Sequence, residues 1–147
     1  MKKILLIIIV AALSIYEAVE EQGSSAEAKV VAKASKAKQV GSLQAAFANR
    51  QSDLQIQGVG IVKKVLRDDL KGSKHQKFIL RVSGQTVLVA HNIDLAPRIG
   101  GLRAGDRVEF YGEYEWNDRG GVIHWTHRDP QRRHASGWLK HNGKTYQ

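Results

Sequence analysis

The run Arg107–Trp116 constrains the fold most. Val108, Phe110, Gly112, Tyr114 and Trp116 alternate with Arg107, Glu109, Tyr111, Glu113 and Glu115. A period of two places each set on its own face of a strand. One face must be buried, and the other presents three carboxylates. Asn117-Asp118-Arg119-Gly120-Gly121 follows as a hairpin turn. A partner strand is then expected over Val122–Arg128. On it Ile123, Trp125, His127 and Asp129 would share one face, and Val122, His124, Thr126 and Arg128 the other.

The upstream pattern is also β. Ile56, Val59, Ile61, Val62 and Val65 lie in a strand-like run from Leu54, and Gly58 and Gly60 predict a bulge or strong bend. Arg67–Lys74 reads as a turn, Lys77–Val82 as a second strand, Ser83-Gly84 as a tight connection and Gln85–Ala90 as a third strand. Asp94–Leu102, with Pro97 and Gly100-Gly101, fits a short helix or loop. Ser42 can cap a short helix running to about Asn49. Closing five strands removes their edges. The expected fold is mainly β: a small five-stranded OB-like barrel with a short helix and an N-terminal signal segment.

Met1-Lys2-Lys3 followed by the apolar run Ile4–Leu13 reads as a secretory signal peptide over 1–28. The run is short for a span, which takes about 20 apolar residues. An uncleaved anchor is the competing reading. Residues 29–41 read as a flexible basic segment, and 42–147 as the barrel domain. The expectation is a periplasmic or secreted monomer with no stable membrane insertion after cleavage. With no cysteine, a disulfide framework and a thiolate metal site are excluded. Residues 29–147 hold 21 Lys+Arg (the chain's 23 less Lys2 and Lys3). They hold 10 Asp+Glu (14 less Glu17, Glu20, Glu21 and Glu27), a balance of +11. Such a field attracts polyanions, nucleic acid foremost.

All six histidines and all three tryptophans lie between His75 and His141. The block GGVIHWTHRDP (120–130) packs two histidines, Trp125, Arg128 and Asp129 together. His91-Asn92-Ile93-Asp94-Leu95-Ala96-Pro97-Arg98 is a second concentration, and Arg67-Asp68-Asp69 with Lys74-His75 is a third. Carboxylates suit a hard divalent cation, Mg²⁺ or Ca²⁺. Histidines suit proton transfer and arginines suit phosphate. These are the ingredients of phosphodiester cleavage. Asp69, Asp94 and Asp129 are the expected metal ligands. His75, His91, Glu113, His127 and Arg98 are the expected catalytic groups. Asn92, Arg128, Asn117 and Trp125 are the expected substrate contacts. His134 and His141, in a basic tail, read as solvated or structural.

HQKF (75–78), HNIDLAPRI (91–99), GEYEWN (112–117) and GGVIHWTHRDP (120–130) resemble a family of small exported bacterial proteins labelled as a domain of unknown function. The resemblance covers Gly58 to Tyr146 and implies extracellular nuclease activity. The layout is also similar to OB-fold thermonucleases of the staphylococcal type. That similarity implies metal-holding roles for Asp69 and Asp94, water activation by Glu113 and a phosphate contact at Arg98. This chain departs by carrying histidines where those enzymes carry none. The function expected is an exported, divalent-metal-dependent endonuclease acting on DNA, and on RNA as a further substrate. The alternative is a non-catalytic periplasmic module binding nucleic acid or another polyanion. A third reading is a structural partner of an envelope complex.

Overall fold

The computed structural model describes residues 42–147. The segments expected as signal peptide (1–28) and basic tether (29–41) lie outside the described residues. Helix α1 spans Leu43–Ala48, with the Ser42 hydroxyl accepting the Ala45 N–H at 3.1 Å. Seven strands follow: β1 Leu54–Val65, β2 His75–Val82, β3 Gln85–Asn92, β4 Arg107–Glu115, β5 Val122–His124, β6 Trp138–His141 and β7 Lys144–Tyr146. Among the described residues no helix is long and apolar enough to cross a membrane.

The sheet runs β1-β2-β3-β5-β4, and β4 pairs back to β1, which closes a five-stranded barrel. The β3–β5 pairing is parallel and the others are antiparallel. The alternation of β4 holds along its length. Val108, Phe110, Gly112 and Tyr114 are buried, while Glu109, Tyr111, Glu113 and Glu115 are half-buried on the outer face. Ile56, Phe78, Leu80, Val89, Ile123 and Leu139 fill the interior. Each such side chain stabilises the fold by about 1.5–3 kcal/mol. Leu43 and Ala46 of α1 join the same core. Phe47 of α1 stacks on Trp116, whose Nε1–H donates to the Phe47 carbonyl at 3.1 Å.

Three details differ from expectation, and the choice left open at Asp94–Leu102 is decided. The register shift in the β1–β2 pairing falls between Val62 and Lys64, just beyond Gly58 and Gly60. The segment Asp94–Leu102 is a loop. Asn92 Oδ1 takes the N–H groups of Asp94 and Leu95, the Gln76 amide pairs with both main-chain groups of Ile99, and Pro97 has no N–H to give. β5 stops at His124 instead of Arg128, because Trp125 turns to φ 50°, outside any strand. The tail forms the β6–β7 hairpin along β4, turning through Asn142 and Gly143, both at positive φ.

The β4–β5 turn depends on Gly121. Its φ is 85°, and a Cβ there would come within 2.2 Å of the Tyr114 ring. The buried Tyr114 hydroxyl donates to the Gly120 carbonyl at 3.2 Å, and burial pushes that phenol's pKa up. Gly121→Ala is expected to destabilise the domain by about 2 kcal/mol or more, from strain and overpacking together. Tyr114→Phe is expected to lose only about 1 kcal/mol. Urea unfolding of the two variants measures both, and an unchanged midpoint for Gly121→Ala would refute the tight turn.

Candidate metal centre

The β4–β5 register places His124 opposite Glu113, and Val122 opposite Glu115. Side chains of directly paired residues share a face. Glu113, Glu115 and His124 therefore gather on the outer surface of the barrel. His124 Nε2 lies 3.4 Å from Glu113 Oε1 and 3.6 Å from Glu115 Oε1. That nitrogen is buried and finds no hydrogen-bond partner among the described residues. One ligand atom from each side chain fits within 4.8 Å, so the three can hold a metal ion. Two ligands about 2.1 Å from one ion stand roughly 3.0–3.5 Å apart at ordinary coordination angles, which suits this spacing.

The segment between β5 and β6 folds over this cluster. His134 Nε2 hydrogen-bonds Glu113 Oε2, leaving Oε1 on the His124 side. The His134 ring stacks on Trp125, with centroids 4.1 Å apart and planes 11° from parallel. Asp129 shapes the turn that delivers His134, accepting the main-chain N–H groups of Gln131, Arg133 and His134. Those donors, Gln131 first, hold its carboxyl below the usual carboxylate range. Gly137 closes the segment, where a Cβ would lie 1.9 Å from the Trp125 carbonyl oxygen. Beside the cluster is a pocket of about 490 Å³, lined by Leu95, Trp125, Asp129, Pro130, Gln131, Arg133 and His134.

The residues expected from sequence divide between two regions. Around the β1–β2 turn and the loop after β3, Asp69 Oδ1 accepts the Lys71 N–H, and Asp94 Oδ2 accepts the Lys74 N–H. His75 Nδ1–H donates to the Ser73 carbonyl. Arg98 Nε donates to Asp68 at 2.7 Å, which raises the guanidinium pKa further. Asn92 caps its own loop, as described above. In the second region lie Glu113, Trp125, His127, Arg128 and Asp129. His127 is buried, with its Nδ1–H on the Arg128 carbonyl. Arg128 is exposed. Asn117 Oδ1 takes the N–H groups of Arg119 and Gly121 in the hairpin turn. Of the expected groups, Glu113 belongs to the three-residue cluster, and Asp69, Asp94 and Asp129 do not.

A family model described as "Protein of unknown function (DUF3465)" matches residues 26–147. The chain belongs to the DUF3465 family. No curated protein and no solved structure matches it. In this DUF3465 chain the sequence reading missed Glu115, His124 and His134 as site residues. A usable signal existed for two of them. The turn pairs Glu115 with Val122, which sets His124 across from Glu113 and leaves Glu115 one period away on the same face. His134 had no such signal, because it arrives through an irregular segment.

His91 is fully buried and joins the two regions. Its Nε2 meets the Pro97 carbonyl at 3.1 Å and its Nδ1 meets Thr126 Oγ1 at 2.8 Å. A carbonyl only accepts, so Nε2 carries the proton and Nδ1 accepts from the threonine. Burial lowers the His91 pKa from 6.5 to about 4. The unfolded chain therefore takes up a proton before the folded one does. The stabilisation is complete above pH 6.5 and is lost as the pH falls through about 4, at most ~3 kcal/mol from this group. Ring ¹⁵N shifts of His91 should stay flat from pH 7.5 to about 5.5; a midpoint near the ordinary value for histidine would contradict the buried, neutral ring.

Proposed function

We propose that the protein is an exported, divalent-metal-dependent endonuclease that hydrolyses the phosphodiester bonds of DNA, and of RNA as a further substrate, on an OB-like barrel. The observation that carries this reading is the Glu113–Glu115–His124 cluster beside a pocket that holds Arg133 and Trp125. The strongly basic balance and the similarity of the sequence layout to OB-fold thermonucleases of the staphylococcal type support it.

Glu113, Glu115 and His124 would hold the cation. When bound, it screens phosphate charge and lowers the pKa of an attacking water. Arg133 suits bidentate contact with a phosphate, and Trp125 offers an aromatic edge to sugar or base. Arg128, exposed nearby in sequence, adds to the positive approach. His134, at the join of cluster and pocket, is the histidine best placed to move a proton. His91 and His127 are committed to the interior and the main chain, so their contribution is to hold the site's loops. Arg98 pairs with Asp68 and Asp94 with Lys74, and Asp69 Oδ1 takes the Lys71 N–H, so these groups hold the β1–β2 turn and the loop after β3.

Supercoiled plasmid incubated with the purified protein tests the reading, with Mg²⁺, Ca²⁺, Mn²⁺ or EDTA present. Nicking that stops with EDTA is expected, with a roughly 100-fold slower rate in Glu113→Gln. Intact plasmid in every condition, with retarded migration on a gel, would leave a non-catalytic binding module.

A further inference from the structure

One side chain beside the cluster has no role in the fold described so far. Gln55 of β1 pairs with Glu113 on the edge of β4 that does not face β5. Its neighbours Leu54 and Ile56 pair with Tyr114 and Gly112 of the core face, so Gln55 points outward with Glu113. Outward residues of β1 are otherwise exposed: Gln57, Val59 and Ile61. Gln55 is only 9 % exposed, and neither its Oε1 nor its Nε2 finds a hydrogen-bond partner among the described residues. Burying an unpartnered polar group costs about 1–3 kcal/mol. Gln55, Glu113 and His124 thus form one row across β1, β4 and β5, with an unpartnered polar atom at each end.

We propose that Gln55 is a fourth ligand, its Oε1 coordinating the same cation as Glu113, Glu115 and His124, and that the cation is a first-row transition ion, Mn²⁺ or Zn²⁺, in preference to Mg²⁺ or Ca²⁺. This rests on the metal-binding half of the reading above and not on phosphodiester hydrolysis. A glutamine carbonyl is a good oxygen donor to a divalent cation. It leaves the ligand charge at two carboxylates. An imidazole in the set disfavours Mg²⁺ and Ca²⁺, which take oxygen, whereas Mn²⁺ and Zn²⁺ accept both donor types. His134 acts on the same centre as a positioning residue. His134 holds Glu113 Oε2 and so leaves Oε1 on the His124 side.

Isothermal titration of the whole protein with Mn²⁺, Zn²⁺, Mg²⁺ and Ca²⁺, each run on wild type and Gln55→Leu, tests the assignment. Wild type is expected to bind Mn²⁺ and Zn²⁺ at least tenfold more tightly than Mg²⁺ and Ca²⁺. Gln55→Leu is expected to weaken both transition ions at least tenfold, while its melting temperature in EDTA stays level or rises. Gln55→Glu keeps an oxygen at the position and is expected to retain binding, so it serves as the control if the leucine variant folds poorly. Wild-type affinity in Gln55→Leu, loss of binding in a folded Gln55→Glu, no transition-ion binding by wild type, or no preference over Mg²⁺ and Ca²⁺ would each overturn the proposal. Gln55-dependent binding with intact plasmid would keep this assignment and end the nuclease reading.

Discussion

The hydrogen-bonded register of β4 is the constraint on which the rest of the molecule depends. Its first edge pairs with β1 from Arg107 to Tyr114 and closes the barrel. Its other edge takes β5 at Glu113–Glu115 and β6 at Val108–Tyr111. Its inner face supplies Val108, Phe110 and Tyr114 to the core, and its outer face supplies Glu113 and Glu115 to the cluster. A slip of one residue would bury the glutamates and expose the aromatics. The same hydrophobic alternation that selects the barrel therefore also sets which polar side chains meet outside it.

That dependence explains what could be read from sequence. The barrel strands were legible because alternation is written into each of them, and β4 was the clearest. The glycine turn after Asn117 was legible because only a few residue types accept positive φ there. Strand ends were less so. Nothing in the residue types of Val122–Arg128 announces that Trp125 adopts a left-handed conformation, because the cause is tertiary: Trp125 stacks on His134, and the chain at Gly137 presses against its carbonyl. The helix or loop at Asp94–Leu102 was settled by side-chain amides from Asn92 and Gln76, one of them a distant strand residue.

The candidate centre was legible only in part for a related reason. Its ligands combine two strand positions of one period with a cross-strand neighbour, and only Glu113 stood out as chemistry from its local block. Aspartates drew attention because they cluster in turns, yet Asp129 spends its oxygens on three main-chain N–H groups. Turn aspartates and turn asparagines stabilise loops by that route, as Asn92 and Asn117 also show. Histidine density was informative about location and not about role. His91 pins one loop through a single tautomer, His141 pairs with Asp106 near the β6–β7 hairpin, and His124 alone keeps a free nitrogen facing two carboxylates.

A cost is visible where the site meets the fold. An apolar residue at position 55 would suit a buried location better than an amide whose two polar atoms are unpartnered, and the aliphatic Val59 and Ile61 already occupy positions four and six residues along the same strand face. Carboxylates at 113 and 115 repel each other across one strand period. Each choice runs against the stability of the barrel, and the two coincide in one row. Polar groups arranged against stability mark places selected for binding. A cation there would reverse the sign of both penalties at once, because it would partner the amide oxygen and the imidazole nitrogen and neutralise the paired carboxylates.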